Sequence, residues 1–161
     1  MIGPVIRLPT MDDAAAVARC HVACWRETYK QSLSAQFLAS QDIGEREVRW
    51  RRILSEAVAG DHAVAVVAGE IVGFAGIRIS PDTPPARDLD LSVLYLRSAH
   101  HGSGLGQALL DFVLGDRPAS LWVAEENQRA RAFYSRNQFR PDGARIVAPE
   151  LEDLVKVRLV R

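Results

Sequence analysis

Leu94-Tyr95-Leu96-Arg97-Ser98-Ala99-His100-His101-Gly102-Ser103-Gly104-Leu105-Gly106-Gln107-Ala108-Leu109-Leu110 changes character twice along its length. It begins as an apolar strand, passes through a polar turn with glycines at 102, 104 and 106, and enters an amphipathic helix. With no Cβ at alternate positions, several main-chain N–H groups can point outward together. The helix that follows brings the positive end of its dipole to the same place. Together these features predict a cradle for an anion, phosphate above all. Two nucleotide-binding motifs that use the same physics are poorly met. A P-loop needs Lys and then Ser or Thr after its last glycine, where this chain has Gln107-Ala108. A dinucleotide turn starting at Gly102 needs glycine at 107, where Gln107 stands, although Glu125 lies at about the distance, ~20 residues on, where the ribose-binding acid is expected. A glycine turn without a ligand also fits the glycines taken alone.

A second stretch decides among these. Leu121-Trp122-Val123-Ala124-Glu125-Glu126-Asn127-Gln128-Arg129-Ala130-Arg131-Ala132-Phe133-Tyr134-Ser135-Arg136-Asn137-Gln138-Phe139 again reads as strand, turn and helix. Asn127 is a natural N-cap, and Ala130, Phe133 and Tyr134 share one helical face. With both stretches in order, the chain resembles the GNAT superfamily of N-acetyltransferases. The family's glycine motif, Gln/Arg-x-x-Gly-x-Gly/Ala, is matched by His101-Gly102-Ser103-Gly104-Leu105-Gly106. Its Asn-x-x-Ala-x-x-Phe-Tyr motif is matched by Asn127, Ala130, Phe133 and Tyr134. Two positions depart from the pattern. His101 replaces the leading Gln or Arg, which main-chain anion contacts should tolerate. Gln138 stands where the family usually carries glycine, and Asn137 is expected to take up the left-handed conformation in its place.

The rest of the chain is compatible with that reading. A length of 161 residues suits a single domain over 1–161, and 20 basic side chains balance 20 acidic ones, which gives no footing for nucleic acid. No apolar stretch is long enough to span a membrane, and the N-terminus lacks the regions of a signal peptide, so a cytoplasmic protein is expected. Cys20 and Cys24 share a helical face and are expected as buried thiols. Arg49, Arg51 and Arg52 read as a solvated face. No Cys or His joins His21 and Cys20 to complete a metal site, and none is expected.

Along the chain, Val5–Leu8 reads as a strand and Thr10-Met11-Asp12-Asp13 as a capping box that opens a helix through Trp25. A partly helical segment and a second helix from Gly44 to about Ala59 follow. Two strands, 64–68 and 71–77, flank a hairpin turn at Gly69-Glu70. Pro81 to Pro85 is a loop before the strand from Asp90 to Leu96. The strands 140–147 and 154–160 close the chain. The order βααβββαβαββ is that of the resembled family. The resemblance implies an α/β fold of the GNAT type: a central, mostly antiparallel sheet of six or seven strands, splayed between the fourth and fifth and flanked by about four helices.

The resemblance also assigns roles. It implies acetyl-CoA as co-substrate, with the main chain of Leu94, Tyr95 and Leu96 hydrogen-bonded to the pantetheine arm as an added strand. The amides of Gly102, Ser103, Gly104, Leu105, Gly106 and Gln107 hold the pyrophosphate, and Asn127 makes a further contact, a role compatible with simple N-capping. Tyr134 is the expected general acid for the departing thiolate, since a phenol of ordinary pKa, about 10, carries its proton at neutral pH. Asp90 is the expected base that helps deprotonate the amine, with Asp88 its rival two residues away. Trp25, Tyr29 and Trp50 are candidate walls of the acceptor pocket, and packing in the core is an equal reading for each. The spacing His21-x-x-x-Trp25-Arg26-x-x-Tyr29 looks like a bacterial branch that includes polyamine acetyltransferases, and Glu45, Glu47 and Glu56 could attract a cation. The activity expected is acetylation of a primary amine on a small molecule in a ternary complex. Acetylation of protein N-termini or lysines, and a non-catalytic acyl-CoA sensor, are the alternatives. Homodimerisation is left open.

Overall fold

The fold, a computed structural model, describes residues 2–161. Its elements run β1 (Val5–Arg7), α1 (Ala14–Tyr29), α2 (Ala35–Ala39), α3 (Ile43–Glu56), β2 (His62–Val67), β3 (Glu70–Ile79), β4 (Leu89–Leu96), α4 (Leu105–Val113), β5 (Ser120–Ala124), α5 (Gln128–Arg136), β6 (Arg140–Ala148) and β7 (Leu154–Val160). The seven strands follow the order β1-β2-β3-β4-β5-β7-β6 in one mixed sheet, with β4 and β5 parallel. This is the expected α/β class, with five helices where about four were expected, because the segment after α1 closes one short helix of its own. Ser34 caps it by accepting from Phe37 N–H at 3.0 Å. The chain packs as two compact units, one running to Ile77 and including Val93–Gly115, the other comprising Arg78–Ser92 and Asp116–Arg161.

In the first unit, α1 buries Ala14, Val17, Ala18, His21 and Val22, a 3.6-residue stripe, and adds Cys20 and Cys24 beside it. Ala14, Val17, Ala18, Cys20 and Cys24 meet Trp50 of α3 and Val64 and Phe74 of β2 and β3 in one apolar cluster. β3 is buried without interruption from Val72 to Ile77, as a strand covered on both faces must be. Gly73 is required there. A Cβ would lie 2.8 Å from the Tyr95 carbonyl oxygen and 2.7 Å from Leu96 Cδ1, so no larger residue fits between β3 and β4. The β2–β3 turn falls on Ala68-Gly69, with φ of 50° and 83°, one residue earlier than the sequence suggested. A two-residue loop between twisted strands needs positive φ at both positions, and pairing resumes at once with Val67 opposite Glu70. Helix α3 stops at Glu56, three residues short of Ala59, where Ala57 turns to extended backbone at ψ 139°.

In the second unit, β5 pairs antiparallel with β7 from Ser120–Val160 to Ala124–Lys156, and β7 pairs with β6. Leu121, Phe139 and Leu159 are almost wholly buried among them. β4 meets β5 at Asp90–Ser120.

The N-terminal capping box is present, but it opens a short 3₁₀ turn, Met11–Asp13, ahead of α1. The Asp13 carboxylate accepts from Thr10 N–H at 2.7 Å and from both terminal nitrogens of Arg7, at 2.7 and 2.9 Å. Arg7, foremost, holds the Asp13 pKa down to about 2. A lowered carboxyl pKa stabilises the fold above the unfolded value and loses that contribution as pH falls through the folded one. Asp13→Ala should therefore cost about 1 kcal/mol, or roughly 2–4 °C in Tm, at neutral pH. In thermal melts the gap between variant and parent should narrow below about pH 4. A gap that does not change with pH would show that Asp13 acts by packing alone.

Candidate active site

The glycine turn belongs to the first unit. After β4 ends, Arg97 N–H still donates to the Val72 carbonyl at 2.8 Å, and the chain then winds through a 3₁₀ turn at Ser98–His100. The Glu27 carboxylate anchors this turn, pairing with Arg97 Nε and accepting from Ser98 N–H, both at 2.8 Å. His101, the departure from the family pattern, braces the loop through the main chain. Its Nε2 lies 3.0 Å from the Leu96 carbonyl oxygen, which fixes that nitrogen as the protonated one. Gly102 and Gly104 both adopt left-handed backbone, at φ 78° and 87°, and nothing lies within 4 Å of where a Cβ would stand on either. Gly104 is the N-cap of α4 and offers no side chain to cap it; the first helical bond is Ala108 N–H to Gly104 O at 3.0 Å. The N–H groups of Leu105 and Gly106 lie in the first turn, ahead of that bond. Leu105 N–H has only a long 3.4 Å contact with Ser103 Oγ. The result is an open loop at the positive end of a helix, suited to a phosphate oxygen.

Four rings surround His21: Trp25 of α1, Trp50 of α3, Phe74 of β3 and Tyr95 of β4. Trp50 Nε1 donates to His21 Nδ1 at 3.1 Å, and the imidazole lies 4.9 Å from the Phe74 ring and 5.4 Å from the Tyr95 ring. Burial, with the charges of Arg46 and Arg49, lowers the His21 pKa to about 3. Trp50 is only 3% exposed, so it is a core residue and not a wall of a pocket. Trp25 and Tyr29 are half-buried and meet edge to face at 5.0 Å. The Tyr29 hydroxyl shares a 3.1 Å hydrogen bond with that of Tyr95, the middle residue of the Leu94–Leu96 stretch. Arg46, which the sequence reading did not single out, lays its guanidinium over the Trp25 ring at 5.4 Å. Its signal was its phase: Arg46 precedes Trp50 by one turn and Ile53 by two, on the inward stripe of α3. The Cys20 and Cys24 thiols are buried and reduced, 3.9 Å apart, and their mutual hydrogen bond together with burial pushes Cys24 up, away from reactivity.

The second unit carries Asp90, Asp88, Asn127 and Tyr134. The Asp90 carboxylate is 4% exposed and accepts from Arg78 Nε at 2.9 Å. Burial raises its pKa, against the opposing pull of Arg78. Asp88 does not share the strand face with it. It precedes β4 and is exposed, while its carbonyl accepts from Ser80 N–H at 2.8 Å. Asn127 is the N-cap of α5 as expected, its side-chain oxygen accepting from Ala130 N–H at 3.1 Å. Tyr134 is buried on the same face and meets Phe133 and Phe139 edge to face, at 5.4 and 5.7 Å. The left-handed residue after α5 is Gln138 itself, at φ 69°, and not Asn137, at φ −96°. The reason is a Schellman closure: Phe139 N–H reaches the Tyr134 carbonyl at 3.0 Å and Gln138 N–H reaches that of Ser135 at 3.1 Å. The Asn137 side chain meanwhile donates to the Phe133 carbonyl at 3.0 Å. Gln138 thus bears a conformation that costs a non-glycine residue about 1–2 kcal/mol. Glu125, a candidate ribose ligand in the rejected dinucleotide reading, pairs with Arg145 at 3.2 Å.

Known proteins carry the same pattern. The family model of the Acetyltransferase (GNAT) family matches residues 17–139. The chain is 26% identical over 157 residues to YuaI of Bacillus subtilis, an uncharacterized N-acetyltransferase, covering 92% of this chain and 89% of that one. It is 26% identical over 144 residues to Rv2775 of Mycobacterium tuberculosis, a probable N-acetyltransferase, covering 86% and 80%. Among solved structures it resembles the PaiA N-acetyltransferase of Thermoplasma acidophilum in complex with coenzyme A, with TM-score 0.70, 18% identity and 98% of each chain covered. It also resembles a GCN5-related N-acetyltransferase of Rhodopseudomonas palustris, with TM-score 0.74, 20% identity and coverage of 100% and 96%. At these identities the structural likeness is one of fold.

His21 should remain neutral, with the proton on Nε2, through the range of about pH 5 to 8 in which an ordinary histidine titrates. Its stabilising effect is complete above the unfolded pKa, near 6.5, and falls away toward the folded value of about 3. Long-range nitrogen–proton spectra of the imidazole rings test this. A titration midpoint above 6 would mean that Trp50 does not hold Nδ1 as an acceptor.

Proposed function

Because this chain belongs to the GNAT family of acetyltransferases, we propose that it moves the acetyl group of acetyl-CoA to a primary amine of a small molecule by direct attack in a ternary complex. The observation that carries this reading is the cradle: two left-handed glycines with open space above them, at the head of a helix that no side chain caps. The main-chain amides from Gly102 to Gln107 hold the pyrophosphate. The main chain of Leu94, Tyr95 and Leu96 takes the pantetheine arm as a neighbouring strand. Asn127 makes a further contact from the N-terminus of α5. Trp25 and Tyr29 form the wall for the acceptor.

Acetyl-CoA supplies the acetyl group as a thioester. An alkyl amine with pKa near 10.4 is almost all cation at neutral pH, so the protein must take a proton before nitrogen can attack. Asp90 does so, directly or through water, and its burial makes the carboxylate a better base than an exposed one. Asp88, exposed and outside β4, is the weaker candidate. As the carbon–nitrogen bond forms and the carbon–sulfur bond breaks, Tyr134 gives its phenolic proton to the sulfur, and the coenzyme leaves as a thiol. The amide product keeps the acetyl group; its nitrogen sheds its second proton to water as the carbon–sulfur bond breaks, and water later carries the proton from Asp90 to Tyr134, so that one proton is released overall.

The cradle is tested by Gly104→Val. A valine there must adopt φ near the 87° that glycine takes, and its branches would fill the space proposed for phosphate. Calorimetric titration with coenzyme A should show no binding to a variant that circular dichroism reports as folded. Parental affinity would refute the pyrophosphate assignment.

The proton roles separate in kinetics. Tyr134→Phe should leave acetyl-CoA affinity within a few-fold and lower kcat roughly 10²-fold. Asp90→Asn should depress kcat most near neutrality and recover toward alkaline pH, where solvent supplies the free amine. An unchanged kcat for Tyr134→Phe means that the ring only packs. A KM effect for Asp90→Asn that weakens with salt means that the carboxylate merely attracts the substrate.

A further inference from the structure

We infer that Arg46 recognises a carboxylate on the acceptor, so that the amine acetylated is that of an amino-acid-like molecule and not of a polycation. The inference rests on the acceptor wall proposed for Trp25 and Tyr29 and adds the class of molecule that meets it.

Arg46 is set apart by being half-buried without an acid, whereas Arg19, Arg26, Arg49 and Arg52, which also have none, are exposed. Elsewhere in the first unit, Arg7 pairs with Asp13 at 2.7 Å, Arg51 with Glu47 at 2.8 Å and Arg97 with Glu27 at 2.8 Å. Arg46 is half-buried on α3, and among the described residues its one hydrogen bond runs from Nη2 to Gln41 Oε1 at 3.0 Å. A guanidinium has five N–H donors in a planar fork, so most of its capacity for a planar, two-oxygen anion is unspent. Burial and the charge of Arg49 push its pKa below the usual guanidinium value. An anion would relieve both effects.

The surroundings offer a second donor. The guanidinium lies over the Trp25 ring at 5.4 Å, and the Trp25 indole N–H is itself a buried donor with no partner. An unmade bond of that kind is costly until an acceptor arrives. Trp25 packs on Tyr29, and Tyr29 reaches the Tyr95 hydroxyl on β4, the strand proposed to hold the pantetheine arm. One wall thus runs from the strand that would carry the thioester to a cation and an unpaired donor on the helices. A molecule whose amine lies at one end and whose carboxylate lies at the other matches that polarity.

The acidic residues that could have drawn a polyamine are placed otherwise. Glu47 is engaged by Arg51, Glu27 by Arg97 and Ser98, and Glu45 and Glu56 are exposed on α3. The charges that bear on buried His21 are those of Arg46 and Arg49, both positive.

The test compares amines that differ only by the carboxylate. Initial rates with acetyl-CoA would be measured for the common amino acids and for the pairs lysine and cadaverine, ornithine and putrescine, and tyrosine and tyramine. The parent should favour the amino-acid member in kcat/KM. Arg46→Gln should raise KM for that member roughly tenfold or more, with kcat little changed and rates on the decarboxylated partner unaltered. Arg46→Lys should recover part of the loss, since it restores charge without the fork. Preference of the parent for the decarboxylated amines, failure to acetylate any amino acid, or an equal loss on both members in Arg46→Gln would each overturn the assignment. Calorimetry with coenzyme A on the same proteins separates the two levels of the argument. A parent that binds no coenzyme undermines acetyl transfer itself, whereas intact binding with the wrong amine preference removes only the carboxylate.

Discussion

A buried imidazole must be both neutral and partnered, and His21 meets both demands through the Trp50 indole, 3.1 Å from Nδ1. That hydrogen bond ties α1 to α3, and the same ring contacts Phe74 on β3 and Tyr95 on β4. Tyr95 then presents its hydroxyl to Tyr29 and its carbonyl oxygen to Gly73, where only a hydrogen fits. The position of β4 in the first unit therefore follows from close packing on both sides: an aromatic cluster on one and the missing Cβ of β3 on the other. Such packing tolerates little change, since cores are filled to crystal density. The cradle is an extension of that fixed strand, held at its start by Glu27 and by the His101 ring.

Much of this could be read from sequence because it depends on local physics. The 3.6-residue spacing of apolar positions in α1, the capping residues Thr10 and Asn127, and the alternating glycines each act within a few residues of themselves. The positions left open or misplaced were settled by partners elsewhere. For Trp50, pocket wall and core were equal readings, and the imidazole on another helix makes it core. Asn137 has the better intrinsic tolerance for left-handed backbone, yet the hydrogen bonds at the end of α5 put that conformation on Gln138. The hairpin turn moved by one residue because both of its central positions need positive φ, and only Gly69 announced this. Arg46 escaped notice because a charged residue on an inward stripe is read by habit as a phase error.

A feature of Asn127 has a consequence for the ligands it can meet. Its side-chain oxygen is committed to the Ala130 amide at 3.1 Å, which settles which end of the carboxamide is which. The NH₂ end keeps both of its protons to give, and the oxygen keeps one lone pair. Position 127 can therefore address a carbonyl, a hydroxyl oxygen or a phosphate with protons that the cap does not use. An aspartate in its place would cap the helix equally well but would offer no proton and would bring a charge, so capping alone does not require the amide.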